Sequence, residues 1–174
     1  MENYQPELWR DLYVMLGTSS AALLGLLFVV TSLHLDEIVN NPGYRRRARS
    51  NSIYLVMTLV ESALILVPQP IRLLGIETIA LNALGLMMPI TNLVFIYNNR
   101  SSARAGGFVL HRAFTFIASF LLGVAGGVAL ALHSNLGLYL VTASYVSLLV
   151  CVSLNAWAIM LGVGLAESRP KRVE

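Results

Sequence analysis

The chain has 174 residues, of which 56% are hydrophobic and 12% are charged, whereas soluble globular domains carry about 25% charged residues. Its mean hydropathy of +0.70 excludes a water-soluble fold. A membrane crossing takes about 20 apolar residues, so the length leaves no room for a soluble domain beside several spans. The net charge of +3 acquires a meaning only once the basic residues are located along the chain.

Five hydrophobic runs follow one another along the chain, each long enough or nearly long enough for a membrane-spanning helix. Their approximate bounds are 12–35, 51–68, 73–97, 113–132 and 138–165. The second run is the weakest, because Glu61 interrupts it and Pro68 closes it. We predict an all-α membrane protein, a bundle of five transmembrane helices that forms a single domain over residues 1–174. Four spans with a re-entrant second segment is the alternative.

The basic residues favour five spans, because Lys and Arg in short connections collect on the cytoplasmic side of a membrane. Ten of the twelve follow the first, third or fifth run. The cluster after the first run, which we predict to be a cytoplasmic loop, consists of Arg45, Arg46, Arg47 and Arg49. This distribution predicts that the amino terminus lies outside and the carboxyl terminus lies in the cytoplasm.

The same arginine cluster is also typical of a nucleic-acid-binding patch. Its predicted position at a membrane border favours lipids instead, because a basic residue near an anionic lipid surface gains about 1 kcal/mol. We therefore predict membrane lipids with anionic headgroups as partners, and no nucleic acid.

Small residues recur every four positions on two of the predicted helices. Helices in lipid associate where small residues let their backbones approach, so each stripe predicts a tight helix contact. The stripes are Gly17, Ala21 and Gly25 on the first helix, and Ser119, Gly123, Gly127 and Ala131 on the fourth. We predict a homo-oligomer joined by some of these stripes, and the use of all of them inside one bundle is the alternative.

Two carboxylates lie within the predicted spans, where each costs at least about 2.5 kcal/mol to insert. Glu61 precedes Gln69 by eight residues and Glu77 follows it by eight, and Gln69 is the middle residue of the turn between two helices. Equal offsets place both acids at one depth, where they can hold a cation or share a proton. The alternative is structural: one acid pairs with Arg72, or both form hydrogen bonds between helices.

Further polar residues lie on one face of each of these two helices, and on the second span that face includes Glu61. On the third span they recur every three or four residues, together with Gly85 and Pro89. Such a stripe can line a hydrated pathway or pack against polar groups of another helix. The predicted ion or proton pathway comprises Thr58, Glu61, Glu77, Thr78, Asn82 and Asn92.

Three segments of the first half of the chain carry a resemblance: AALLGLLFVVTSLHLDEI, NPGYRRRARS and LVPQPIRLLGIE. In these segments the chain resembles a group of small bacterial integral membrane proteins without established function. The resemblance implies a bacterial origin and a multi-span fold, and hence a place in the bacterial cytoplasmic membrane. It implies no activity and no functional residue.

The polar pathway favours a small oligomeric channel or transporter for cations or protons. The alternative is a non-catalytic scaffold or regulatory subunit that binds another membrane protein through the small-residue stripes. The sequence contains no recognisable nucleophile with a base, no metal-binding cluster and no cofactor motif. We therefore predict no enzymatic activity and no cofactor, and a membrane-embedded enzyme is the third alternative.

Overall fold

The computed structural model describes residues 7–98, 106–134 and 136–167. Over these residues the chain forms six helices and no strand, which confirms the all-α prediction. The helices are α1 (Glu7–Leu33), α2 (Leu35–Asn40), α3 (Pro42–Leu66), α4 (Ile71–Asn98), α5 (Gly106–Ala131) and α6 (Leu136–Glu167). Each predicted span thus lies on one long helix, and only the short α2 was not predicted.

Four of these helices, α1, α4, α5 and α6, are long and apolar enough to cross a membrane. The apolar part of α1 alone has 25 residues, or about 38 Å of helix, against a hydrocarbon thickness of about 30 Å. Large apolar side chains remain exposed on the outside, among them Leu33 and Leu132, which are 74% and 75% exposed. Soluble monomers rarely expose apolar surface on this scale, which indicates an integral membrane protein.

The second predicted span differs from the other four. It lies within α3, whose 25 residues are long enough to cross a membrane. Because α3 also contains the arginine cluster and Glu61, it is not among the four helices apolar enough to count as candidate spans. It packs against α1 on one side and against α6 and α4 on the other.

The arginine cluster lies on a helix, so the prediction of a basic loop is wrong. Asn41 caps the start of α3, where its Oδ1 accepts hydrogen bonds from the backbone N–H groups of Gly43 (3.0 Å) and Tyr44 (3.4 Å). Pro42 follows as the first helical residue, with a φ already suited to a helix. These two start signals place the whole cluster within the first turns of α3. Its members are Arg45, Arg46, Arg47 and Arg49.

The backbones of α4 and α5 are in direct contact. A Cβ atom built at Gly75 lies 2.6 Å from the backbone nitrogen of Ala131 and 2.7 Å from the carbonyl oxygen of Gly127. On the neighbouring side of α5, the hydroxyls of Ser119 and Ser147 lie 2.9 Å apart and join α5 to α6. The small-residue stripe predicted on the fourth span therefore serves packing inside the bundle.

The turn from α5 to α6 ends α5 with a Schellman motif. The N–H of Ser134 donates to the carbonyl of Ala129 (2.8 Å), and that of His133 donates to the carbonyl of Leu130 (2.9 Å). His133 has φ of 60°, the left-handed conformation that this motif needs. The motif reverses the chain so that α6 runs back along α5.

The stripe on α1 is used differently. Gly17 contacts α3, but Ala21 is exposed and a Cβ built at Gly25 meets no other part of the described chain within 4 Å. A hydrogen bond holds α1 to α3 on another face, where Ser20 Oγ donates to the carbonyl of Leu55 (2.6 Å). Ala21 and Gly25 thus remain uncovered by the part of the chain that the structure describes.

These glycine environments predict opposite effects of one added methyl group. Gly75→Ala forces backbone atoms of α4 and α5 apart, and we expect a loss of about 1 to 3 kcal/mol of stability. Gly25→Ala meets no obstacle and gains up to about 1 kcal/mol of helix propensity. Thermal unfolding in a detergent that keeps the chain monomeric measures both, and equal stabilities of the two variants would contradict the backbone contact.

Candidate functional site

Glu61 lies at the centre of a buried polar cluster and is 0% exposed. Its Oε1 accepts a hydrogen bond from Thr78 Oγ1 (2.6 Å), and its Oε2 accepts one from the Tyr145 hydroxyl (3.3 Å). The three residues come from α3, α4 and α6, so one carboxylate joins three helices. Burial of a charged or polar group is costly unless donors replace the lost water, and two other helices supply them here.

Asn82 extends this cluster along α4 and is also 0% exposed. Its Nδ2 donates to the carbonyl of Thr78 (2.9 Å), one turn earlier. Its Oδ1 is buried and accepts no hydrogen bond from the described residues. This oxygen lies against Gly123 of α5, where any Cβ would overlap it. A glycine of the predicted packing stripe therefore makes room for a polar group of the predicted pathway.

Thr58 lies on the same face of α3 as Glu61, one turn nearer the amino end, and is 1% exposed. Its Oγ1 donates to the carbonyl of Tyr54 in its own helix (3.0 Å). This local bond satisfies the hydroxyl donor without any partner on another helix. Thr58 thus belongs to the predicted pathway by position, although its hydrogen bond serves α3 alone.

Glu77 is half-buried and belongs to a separate group of hydrogen bonds. Its Oε2 accepts from Gln69 Nε2 (2.8 Å), which also donates to the carbonyl of Leu64 (3.1 Å). Consecutive helical residues point about 100° apart, so when Thr78 faces Glu61, Glu77 turns toward the connection between α3 and α4. The two acids are therefore at one level of the hairpin, with different partners.

Asn92, the last residue of the predicted pathway, belongs to a second polar group near the other end of the bundle. Its Nδ2 donates to Ser50 Oγ (3.3 Å). Beside it, Asn155 Nδ2 donates to Asn51 Oδ1, which joins α6 to α3. The Nδ2 of Asn51 is buried and has no partner among the described residues.

Aromatic rings separate these two polar groups. The ring centroid of Tyr54 lies 4.7 Å from that of Phe116 and 5.4 Å from that of Phe120. Gly85 of α4 accommodates the ring of Phe120, which a Cβ at this position would overlap. We call the three rings the aromatic layer. The polar stripe predicted along α4 is thus divided, with Thr78 and Asn82 on one side of the layer and Asn92 on the other.

The sequence alone does not identify several hydrogen-bond partners of the predicted residues. In the sequence Tyr145 is only part of an apolar run, although a buried tyrosine hydroxyl usually requires a hydrogen-bond partner. The sequence indicates Gln69 as a turn residue but does not show that it donates to Glu77. The hydrogen bond between Asn51 and Asn155 depends on the register of α3 against α6, which the sequence does not show.

The described residues contain no group of three His, Cys, Asp or Glu side chains that could hold a metal ion. Comparisons of the chain with protein-family models, with curated proteins and with solved structures find no match. The chemistry of the polar cluster is therefore the basis for the functional interpretation.

The cluster predicts that shape and hydrogen bonding at Glu61 matter more for stability than charge. In Glu61→Gln the amide oxygen can accept from Thr78 while its NH₂ group donates to the Tyr145 hydroxyl, and we expect a change below about 1 kcal/mol. Glu61→Leu leaves the hydroxyls of Thr78 and Tyr145 with neither an acceptor nor a donor at position 61 and should cost about 1 to 3 kcal/mol. Thermal unfolding in detergent measures both variants.

The matched control is Glu77→Leu, which removes a half-buried carboxylate at the same level of the hairpin. We expect it to cost less than Glu61→Leu, because its partner Gln69 keeps the hydrogen bond to Leu64. A Glu61→Leu protein as stable as Glu61→Gln would show that the buried carboxylate does not hold the three helices together.

Proposed function

We propose that this protein is a small membrane channel or transporter for cations or protons, with Glu61 as the binding group. The supporting observation is a carboxylate that is 0% exposed among helices of membrane-spanning length. Ionisable residues within membranes are costly and commonly mark ion pathways or proton relays. Among the described residues Glu61 is held by hydroxyls and pairs with no basic side chain, so its charge is available to a transported cation.

The groups around Glu61 suit a hard cation or a proton. All the polar groups at this site present oxygen atoms. They are the carboxylate itself, the hydroxyls of Thr78 and Tyr145, and the Oδ1 of Asn82, which has no hydrogen-bond partner among the described residues. Oxygen ligands bind hard cations such as Na⁺ or Mg²⁺. Alternatively, a proton on the carboxylate removes the charge that burial disfavours. A bound cation or a bound proton would neutralise the charge of Glu61 before transport.

Access to this site differs at its two ends. Glu77 and Gln69 lie toward the connection between α3 and α4, where a half-buried carboxylate is placed to attract cations toward Glu61. On the opposite side the aromatic layer separates Glu61 from the second polar group. Passage to that side requires the rings to move, which favours a transporter with alternating access over a permanently open channel.

We propose that α3 is a fifth span. Two hydrogen-bonded pairs, Asn51–Asn155 and Glu61–Tyr145, join α3 to α6. The pairs lie ten residues apart on both helices, so α3 and α6 run antiparallel over about 15 Å. The hydrogen-bonded pairs Glu61–Thr78 and Ser50–Asn92 likewise place α3 antiparallel to α4. Because α3 has 25 residues, or about 38 Å of helix, and is held along two apolar helices, it supports a full crossing and not a re-entrant segment.

The charge distribution then orients the bundle, with the amino terminus outside and the carboxyl terminus in the cytoplasm. The arginine cluster at the start of α3 would lie on the cytoplasmic side, and the resemblance noted in the sequence favours a bacterial cytoplasmic membrane. Arg112, which also supports this orientation, lies on α5. The other five basic residues that support it lie outside the described residues. They are Arg100, Arg104, Arg169, Lys171 and Arg172.

We also infer that copies of the chain associate through the uncovered stripe of α1. Ala21 and Gly25 are small and exposed, and no other part of the described chain covers Gly25. Close helix contacts in lipid use such faces. The same observation favours the second candidate function, a non-catalytic scaffold or regulatory subunit, in which a different membrane protein occupies this face.

The five-span topology predicts which positions a membrane-impermeant thiol reagent can reach in intact cells. In a Cys151→Ala background, a cysteine at Gln69 should be labelled from outside, because the turn between α3 and α4 would face that side. Cysteines at Arg104 and Lys171 should be labelled only after the cells are opened. Labelling of position 104 from outside would contradict the model.

The transport proposal predicts that Glu61→Gln lowers cation or proton flux into proteoliposomes by at least about tenfold, because a charged hydrogen-bonding group contributes about 1.5 to 3 kcal/mol. Glu77→Gln should lower the flux less, because Glu77 attracts cations without binding them at the central site. Flux is recorded with a pH-sensitive dye and with ion-selective dyes, under gradients of H⁺, Na⁺ and K⁺.

Asp11→Asn is the matched control, because Asp11 is an exposed acid on α1 outside the polar cluster, and its flux should equal that of the parent. The absence of parental flux under any gradient or voltage would favour the scaffold function instead. The same preparations are sized by light scattering in detergent, where a strictly monomeric parent would contradict association through α1.

A further inference from the structure

A groove of about 880 Å³ opens between α3 and α4 at the end that carries the arginine cluster. This volume falls within the range of about 300 to 1,000 Å³ that is typical of small-molecule sites. Hydrogen bonds join α3 and α4 at Glu61–Thr78 and at Ser50–Asn92, but the two helices contact each other much less than α4 contacts α5. The groove is thus a consequence of how the two helices are held together.

The mouth of the groove is basic. Arg45, Arg46 and Arg49 line it, and none of the described residues that line it is acidic. Arg45 and Arg49 are exposed and lie one turn apart on the same face of α3, so that both guanidinium groups can reach a single anion. Guanidinium groups bind phosphate with paired, charge-assisted hydrogen bonds.

The interior of the groove is apolar and adaptable. Met57, Met87 and Met88 line it together with Ile53 and Leu84. Unbranched methionine side chains adjust to irregular apolar ligands. Met57 is only 8% exposed, whereas Met87 is 59% exposed, so the lining runs from the interior of the bundle to its outer, lipid-facing surface.

We propose that this groove binds one phospholipid with an anionic headgroup, its phosphate between Arg45 and Arg49 and one acyl chain along the methionines. The charge and the apolar lining match the two halves of such a molecule, and the groove opens toward the lipid that surrounds the bundle. Ser50 and Asn92, hydrogen-bonded to each other across the groove, lie where headgroup oxygens would meet the protein. The aromatic layer separates this site from the Glu61 cluster, and the site is tested by lipid binding and not by transport.

The chain offers a matched control for nonspecific attraction. Arg47 belongs to the same basic cluster but does not line the groove. If the cluster only attracted anionic membranes, Arg47→Gln would weaken lipid binding as much as Arg45→Gln or Arg49→Gln. A phosphate site in the groove requires Arg45 and Arg49 instead.

The experiment counts bound lipids by native mass spectrometry during titration of the full-length protein in detergent with phosphatidylglycerol or phosphatidylcholine. We expect saturable binding of one phosphatidylglycerol, with weaker binding of phosphatidylcholine. Arg45→Gln and Arg49→Gln should each raise the half-saturating phosphatidylglycerol concentration about tenfold, and Arg47→Gln should change it less than about twofold. Equal binding of both lipids by the parent, or equal effects of all three substitutions, would overturn the proposal.

Two further comparisons test the acyl chain. Met87→Trp fills the groove and should reduce phosphatidylglycerol binding, whereas Ile90→Trp adds the same ring at an exposed position of α4 outside the groove and should not. Inorganic phosphate at millimolar concentration should leave phosphatidylglycerol binding unchanged, because it has no chain. Full displacement by inorganic phosphate, or equal effects of the two tryptophans, would show that the groove does not bind a lipid.

Discussion

A carboxylate within a membrane protein needs hydrogen-bond donors, and this need organises the bundle around Glu61. Its two oxygens are satisfied by Thr78 and Tyr145, which fixes the rotation of α3, α4 and α6 about their own axes. Apolar packing in lipid is non-directional and tolerates many rotations, because lipid tails and apolar side chains are equally apolar. The hydrogen bonds to Glu61 select one rotation of each helix about its axis. This rotation determines the positions of Asn82 and Glu77.

The sequence predicted the helices better than the contacts between them. Long apolar runs have one stable structure in a membrane, so all five predicted spans lie on helices. Matched offsets from Gln69 also placed Glu61 and Glu77 at one level. The depth of a residue along a helix does not determine the direction in which its side chain points, however. Thr78 and Glu77 are neighbours in the sequence, but only Thr78 points toward Glu61 and forms a hydrogen bond with it. The arginine cluster lies on a helix and not in a loop, because the Asn41-Pro42 start signal begins α3 ahead of it.

Polar groups in this protein lie in two layers, and the aromatic layer between them contains Tyr54, Phe116 and Phe120. Periodicity along α4 alone showed a continuous polar stripe. The rings that interrupt it come from α3 and α5, and Gly85 admits one of them only because it has no side chain. A small residue in a predicted pathway is therefore not by itself evidence of open space, since a neighbouring helix can fill it.

The backbone contact between α4 and α5 at Gly75 and Gly127 also determines where the molecule can change shape. Where the two backbones touch, no side chain lies between α4 and α5 to rearrange, so we expect these helices to move together. The attachment of α3 to this pair combines hydrogen bonds, which water or an ion can replace, with the ring contacts of Tyr54, and Ser20 ties α1 to α3. The movement that the proposed transport requires would therefore separate α1 and α3 from α4 to α6, along a boundary that passes through the Glu61 carboxylate.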